Sequence, residues 1–130
     1  MELEKGGQSL NMKAFTYKKY GPPQVLSMEE VVTPVLKSNE VLIDVHALSL
    51  NPAQWHQLTA SIWMLRLTNG LCAPKQQILG ADVAGVVVGV GKNVNSFKVG
   101  ERVFGRSFSG GLAEFTCLEE NKTAKIPDCI

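Results

Sequence analysis

A chain of 130 residues with 45% hydrophobic and 19% charged residues has the size and composition to close one domain around a real core. Its formal charge of +1 excludes the basic stripe expected of a nucleic-acid or anionic-lipid binder, and no acidic tail is present. Three cysteines, Cys72, Cys117 and Cys129, are odd in number and unevenly spaced, so they build neither a disulfide framework nor a paired C-x-x-C zinc site, and a reducing, cytoplasmic setting fits them best.

Residues 1–11 (MELEKGGQSLN) are polar, glycine-bearing and aperiodic, and read as a flexible arm, with Met12 a candidate alternative start. They lack the basic and apolar regions of a signal peptide. No run in the chain approaches the roughly 18 apolar residues of a membrane helix, so a soluble protein is expected.

The β-rich residues 13–17 (KAFTY) predict a first strand, ended by Gly21-Pro22-Pro23; a second strand runs over 26–32 and breaks at Pro34. Together they make an opening hairpin. Residues 40–48 alternate, with Val41, Ile43, Val45 and Ala47 on a dry face and Glu40, Asp44 and His46 on a wetter one, interrupted by Leu42 and Leu48. On that logic His46 is a surface histidine rather than a ligand. Asn51-Pro52 stops this strand and suits the cap and first position of a short helix, with candidate helical turns over 53–58 and 61–67. Trp55, Trp63, Met64 and Leu67 make this the bulkiest stretch outside the core strands. Packing explains them, and an apolar substrate wall explains them equally well.

Residues 78–104 (ILGADVAGVVVGVGKNVNSFKVGERVF) hold the pivotal segment. Its valine run over 83–90 is too short and too β-branched for a helix and reads as a buried strand, followed by a turn and a second short strand ending at Phe104. Gly85, Gly89 and Gly91 point to a strand that bends sharply or is approached by another backbone, as barrel strands are. Neither nucleotide motif fits them. Gly89-Val90-Gly91-Lys92-Asn93-Val94 lacks the third glycine of a dinucleotide fingerprint and runs into a turn rather than a helix, and a P-loop would need glycine at Val86 and Ser or Thr at Asn93. Residues 107–111 form a small-residue loop. Over 112–118 alternation returns, with Ala113, Phe115 and Cys117 on one face, which makes Cys117 a buried core thiol. A last strand over 122–126 meets Pro127. Several short strands, glycine turns and no long amphipathic helix predict a mainly β domain, a partly open barrel with short helices.

The run LGADVAGVVVGVGKNVNSFKVGERVFG resembles the catalytic, GroES-like domain of the medium-chain dehydrogenase/reductase superfamily, in its zinc-free quinone oxidoreductase (zeta-crystallin-like) branch. Ordered blocks at 12–26 (MKAFTYKKYGPPQVL), 40–55 (EVLIDVHALSLNPAQW), 69–78 (NGLCAPKQQI) and 110–115 (GGLAEF) extend the resemblance over 12–128. It implies a GroES-like barrel over 12–130 that lacks the doubly wound, Rossmann-type cofactor domain which follows at this point in the family.

The resemblance also implies an activity: NADPH-dependent, zinc-independent reduction of quinones, enones or related carbonyls by hydride transfer, with the isolated chain inactive. Cofactor binding would fall mainly to the absent domain. Zinc relatives carry a cysteine where Asn51 stands and a histidine where Ala81 stands, and neither replacement can ligate zinc. Asn51 matches the family's active-site asparagine beside the nicotinamide and substrate; a plain helix cap is the alternative. His56 stands where relatives carry a tyrosine or a proton-relay histidine, and it serves equally as a proton donor or a packed side chain. Gln54 replaces a common aspartate. Asp82, where zinc relatives have glutamate, is expected to form structural hydrogen bonds. A small-molecule carbonyl or quinone is the implied partner, and a homodimer or homotetramer of the full-length protein stays open. Two rivals remain: a non-enzymatic barrel that docks a partner through a loop at 60–77, and an alcohol dehydrogenase.

Overall fold

The computed structural model describes residues 4–5, 8–9, 11–60, 64, 67, 70–71, 73–74, 77–107 and 110–130. Two short strands, β1 (Glu4–Lys5) and β2 (Gln8–Ser9), pair with each other. The opening hairpin consists of β3 (Asn11–Thr16) and β4 (Ser27–Val32), antiparallel and in register from Asn11↔Val32 to Thr16↔Ser27. After it come β5 (Glu40–Ser49), helix α1 (Pro52–Thr59), β6 (Asp82–Val90), β7 (Arg102–Arg106), β8 (Phe115–Glu119) and β9 (Thr123–Lys125). Five of these form one antiparallel sheet in the order β8-β5-β6-β7-β9. Bridges at Ala14↔Ala113 and Thr16↔Ile78 tie the hairpin to it, so the sheet curls into a half-barrel as expected.

The β-branched run of β6 lies at the centre because its alternate side chains fill the inside of the curl. Val83 and Val87 pack with Val41, Ile43, Val103 and Leu118 in the main core. A second cluster joins Met12, Leu42, Phe115 and Cys117, with Ala113 against it, on the face that the alternation of 112–118 predicts. The third gathers Tyr17, Leu58 and Leu79 and holds α1 to the barrel.

Two register shifts re-aim the strands. Val88 is the extra residue between Leu42↔Gly89 and Ile43↔Val87, and His46 is the extra residue between Val45↔Gly85 and Ala47↔Ala84. A bulge exchanges the faces of every residue beyond it. The expected dry face of β5 therefore holds for Val41 and Ile43 and fails for Ala47, which is exposed, while Leu48 turns inward against the main core. His46 is exposed, 3.3 Å from Asp44. At Gly85 a Cβ would run into the carbonyl of Asp44, and at Gly91 into the carbonyls of Lys37 and Ser38. Close backbone approach thus accounts for both, whereas Gly89 would meet only ordinary contacts near 3.5 Å.

Candidate active site

Strand β5 delivers the chain to Asn51, whose extended backbone (φ −129°, ψ 176°) starts α1 with Pro52 in the first turn. Its side chain is held by a reciprocal cap. Asn51 Oδ1 accepts from the Ala53 N–H at 3.0 Å, and the Asn51 N–H donates to Gln54 Oε1 at 2.9 Å. The carbonyl oxygen of Gln54, a side chain 6% exposed, is thereby satisfied. An aspartate could accept the same bond, but glutamine does so without burying a charge.

Beyond the His46 bulge, Ser49 stands opposite Asp82 on β6. The Asn51 Nδ2 group donates to Asp82 Oδ2 at 3.2 Å, and Ser49 Oγ lies 3.5 Å from the same oxygen. Asp82 is exposed, and its hydrogen-bond partners Asn51 and Ser49 lie across the seam between β5 and β6. Its backbone is fixed from both sides. Ser107 N–H donates to Ala81 O at 2.6 Å, and Gly80, at φ +96°, turns the chain where Gly111 N–H and Leu112 N–H donate to Gly80 O and Leu79 O.

Asp82 and Ser49 form part of the rim of an open cavity of about 540 Å³ on the outer face of β5, β6 and β7. Its outward floor is apolar, built from Ala47, Ala84 and Phe104, with the backbone of core residues Leu48 and Val83 between them and Arg106 on the edge. Phe104 is 49% exposed there. Asp82 pairs with Arg106 and Ala84 with Phe104 across the strands, which puts the ring and both charges on one face. Within the chain the amide oxygen is taken by the backbone N–H groups that open α1, and one amide N–H by Asp82. A second N–H remains for a ligand.

The other expected site residues lie on or after α1. His56 is half-buried in the last turn, and Trp55 is 52% exposed. Met64 is 59% exposed; Trp63 lies outside the described residues, as does most of the helical turn at 61–67 and part of the 60–77 loop. None of Trp55, His56 and Met64 lines the cavity beside Asp82. Sequence reasoning did not find Ser49, Phe104 or Arg106. The spacing of Phe104 and Arg106, two apart on a strand, was available as a signal, but only the pairing of β7 with β6 shows which residues they face.

Among the described residues, no group of three or more His, Cys, Asp or Glu side chains is placed to hold a metal ion. The Asn51 and Ala81 positions contribute an amide and a methyl, a donor set that does not fit catalytic zinc. For a dinucleotide the fit is divided. The glycine turn after β6 cannot cradle phosphates, because the N–H groups of Gly91, Asn93 and Val94 already donate to Glu40 O, Ser38 O and Gly91 O at 2.8, 2.8 and 3.1 Å. The Asn51 amide, bonded to Asp82 on the cavity rim, has the donor chemistry to meet a carbonyl group on the ring end of such a cofactor or on a substrate.

Residues 37–128 match the alcohol dehydrogenase GroES-like domain. The chain is 36% identical over 129 residues to the quinone oxidoreductase of Rattus norvegicus, covering 95% of this chain and 36% of that protein. It is also 36% identical over 126 residues to the chloroplastic NADPH-dependent alkenal/one oxidoreductase of Arabidopsis thaliana, covering 89% of this chain and 31% of the relative. The quinone oxidoreductase structure from Coxiella burnetii superposes with a TM-score of 0.79 at 29% identity, over 93% of this chain and 38% of that one. The chain therefore belongs to the alcohol dehydrogenase GroES-like domain family of the medium-chain dehydrogenase/reductase superfamily. It spans about a third of the length of the curated relatives it matches.

Proposed function

We propose that this chain is the substrate-side domain of an NADPH-dependent, zinc-independent oxidoreductase that reduces quinones, enones or related conjugated carbonyls. The observation that carries the reading is the Asn51 amide, tied to α1 and keeping one N–H, whose other N–H is held by Asp82 on the rim of a cavity of about 540 Å³. When bound, NADPH supplies the hydride. The chain's own part is to place the acceptor and stabilise the charge that develops on it. Asn51 donates to the carbonyl oxygen, the floor around Phe104 seats a flat conjugated ring and excludes water, and His56 on the same helix supplies the proton. Trp55 and Met64, both exposed, form the outer apolar wall.

The same reading divides the chain into an arm over 1–11 and the barrel over 12–130, and places it in the reducing cytoplasm, where free Cys117 and Cys129 persist. Among the described residues no helix is long and apolar enough to cross a membrane.

Kinetics of the full-length protein test the site. Asn51→Ala should lower kcat for a quinone or enone about 100-fold, and His56→Phe should lower it by about 100-fold or more. Unchanged turnover in both variants, with the fold intact, sinks the assignment. Elemental analysis that finds one tightly bound zinc per chain would refute the metal-free reading. The 130-residue chain alone should not oxidise NADPH, and turnover by it would show that the cofactor site is contained here. Exposed Trp55, Met64, Leu67 and Leu71 favour a second reading, a partner-docking module, which gains only if the full-length protein proves inert toward carbonyls.

A further inference from the structure

We infer that Asp82 is the positioning residue for Asn51, an inference that rests on the function proposed above. A side-chain amide on an exposed helix cap has two soft torsions and two ends that can exchange places. Here both ends are fixed: Oδ1 accepts from Ala53 N–H at 3.0 Å, and Nδ2 donates to Asp82 Oδ2 at 3.2 Å. The first bond ties the amide to α1 and the second ties it to the sheet. Together they define the amide plane and so the direction of the N–H left over. The capping contacts hold only the oxygen end, and the Asp82 bond holds the nitrogen end, so it narrows the swing that the two side-chain torsions can make together.

Asp82 is suited to the task by its anchoring. It opens β6, beyond the Ala81 carbonyl held by Ser107, and faces Ser49, whose hydroxyl lies 3.5 Å from the same carboxylate oxygen. The His46 bulge is part of the device. Without that extra residue Ser49 would face the opposite side of the sheet, and the carboxylate would lose its cross-strand neighbour. Asp82 also lies on the rim of the cavity, so the orientation it imposes is defined relative to the floor on which a ligand ring would rest. Donor geometry matters here because a misplacement of about 1 Å can cost roughly 100-fold in rate.

Two measurements decide it. In the 130-residue chain, side-chain amide resonances of Asn51 are followed by 15N–1H NMR. Wild type should show one slowly exchanging, shifted amide proton and one that exchanges freely; in Asp82→Ala both should behave as free, while the backbone signals of α1 stay in place. Asn51 side-chain signals that do not move, or an α1 that melts, would overturn the positioning role. In the full-length protein, Asp82→Ala should lower kcat roughly 10- to 100-fold with KM little changed. In an Asn51→Ala background the same substitution should add nothing, as expected of two groups acting through one interaction. Asp82→Asn, which keeps an acceptor, should recover most of the loss. If Asn51→Ala is itself silent, the proposed function fails. Should Asn51→Ala be costly and Asp82→Ala harmless, only the positioning role fails.

Discussion

Cys117 is 7% exposed on β8, and burial, reinforced by the Glu40 carboxylate, pushes its thiol from 9.0 up to about 12. It stays neutral and unreactive at physiological pH. A thiol reagent at pH 8 should modify exposed Cys129 in the native chain and Cys117 only after denaturation; labelling of native Cys117 would contradict its burial. The shift has a second consequence. The folded state holds this proton more tightly than the unfolded state, so the associated stability is full below pH 9 and falls as pH rises toward about 12. Chemical-denaturation curves across that window should slope downward, and Cys117→Ala should flatten them. Gly85 makes the other residue-scale prediction. A methyl there would enter the Asp44 carbonyl on the neighbouring strand, so Gly85→Ala should lower unfolding free energy by about 3 kcal/mol, against about 1 kcal/mol for Gly100→Ser, where a Cβ meets open space and the cost is that of the φ of +95° alone.

Helix α1 spans Pro52–Thr59, short enough that its start must be made by its cap rather than by propagation. Gln54→Ala removes the acceptor of the Asn51 N–H and should cost about 1 kcal/mol, or roughly 4 °C in Tm, read by calorimetry. Glu120 does a comparable job for the turn before β7. Its Oε1 accepts from Asn95 N–H and Ser96 N–H at 3.1 and 3.0 Å, and these bonds hold its carboxyl below the usual range. The stability involved is present above the ordinary carboxylate value and is lost as pH falls through the depressed one. Glu120→Gln should therefore weaken the acid-side slope of a stability profile, while an unaltered slope would assign it to Glu29 or Glu101, which Lys18 and Lys125 hold low in the same way.

Across the whole molecule, protection should follow strand position. β5 is paired on both sides along the half that carries Val41 and Ile43, and β6 is paired with β5 and β7, whereas β4 and β9 each have one strand partner. Native-state hydrogen exchange should be slowest at the amides of Ile43 and Val87, and fastest among the strands at β9 and the small β1–β2 pair. Uniform exchange across the sheet would mean that the barrel opens as one unit. An open sheet edge at β4, with exposed Met28 and Val32, also makes this face the first to self-associate at high concentration.

Much of this architecture can be read from residue types. A valine run is a strand because branched Cβ atoms suit a pleated surface; Asn-Pro begins a helix because one caps and the other has its φ already set; Gly85 in β6 and Gly91 just after it mark carbonyls that come too near for a methyl. Those are local preferences, and local chemistry settles them. What only the tertiary structure decided is which side of each strand faces the core beyond a bulge, and what stands across from what. One extra residue at His46 turned Ala47 outward and Leu48 inward and set Ser49 against Asp82. No periodicity announces a bulge, because it arises from the fit between two strands. The same holds for the Asn51–Asp82 bond, between residues 31 apart in sequence: the asparagine names itself at a turn, but its partner is chosen by the curl of the sheet.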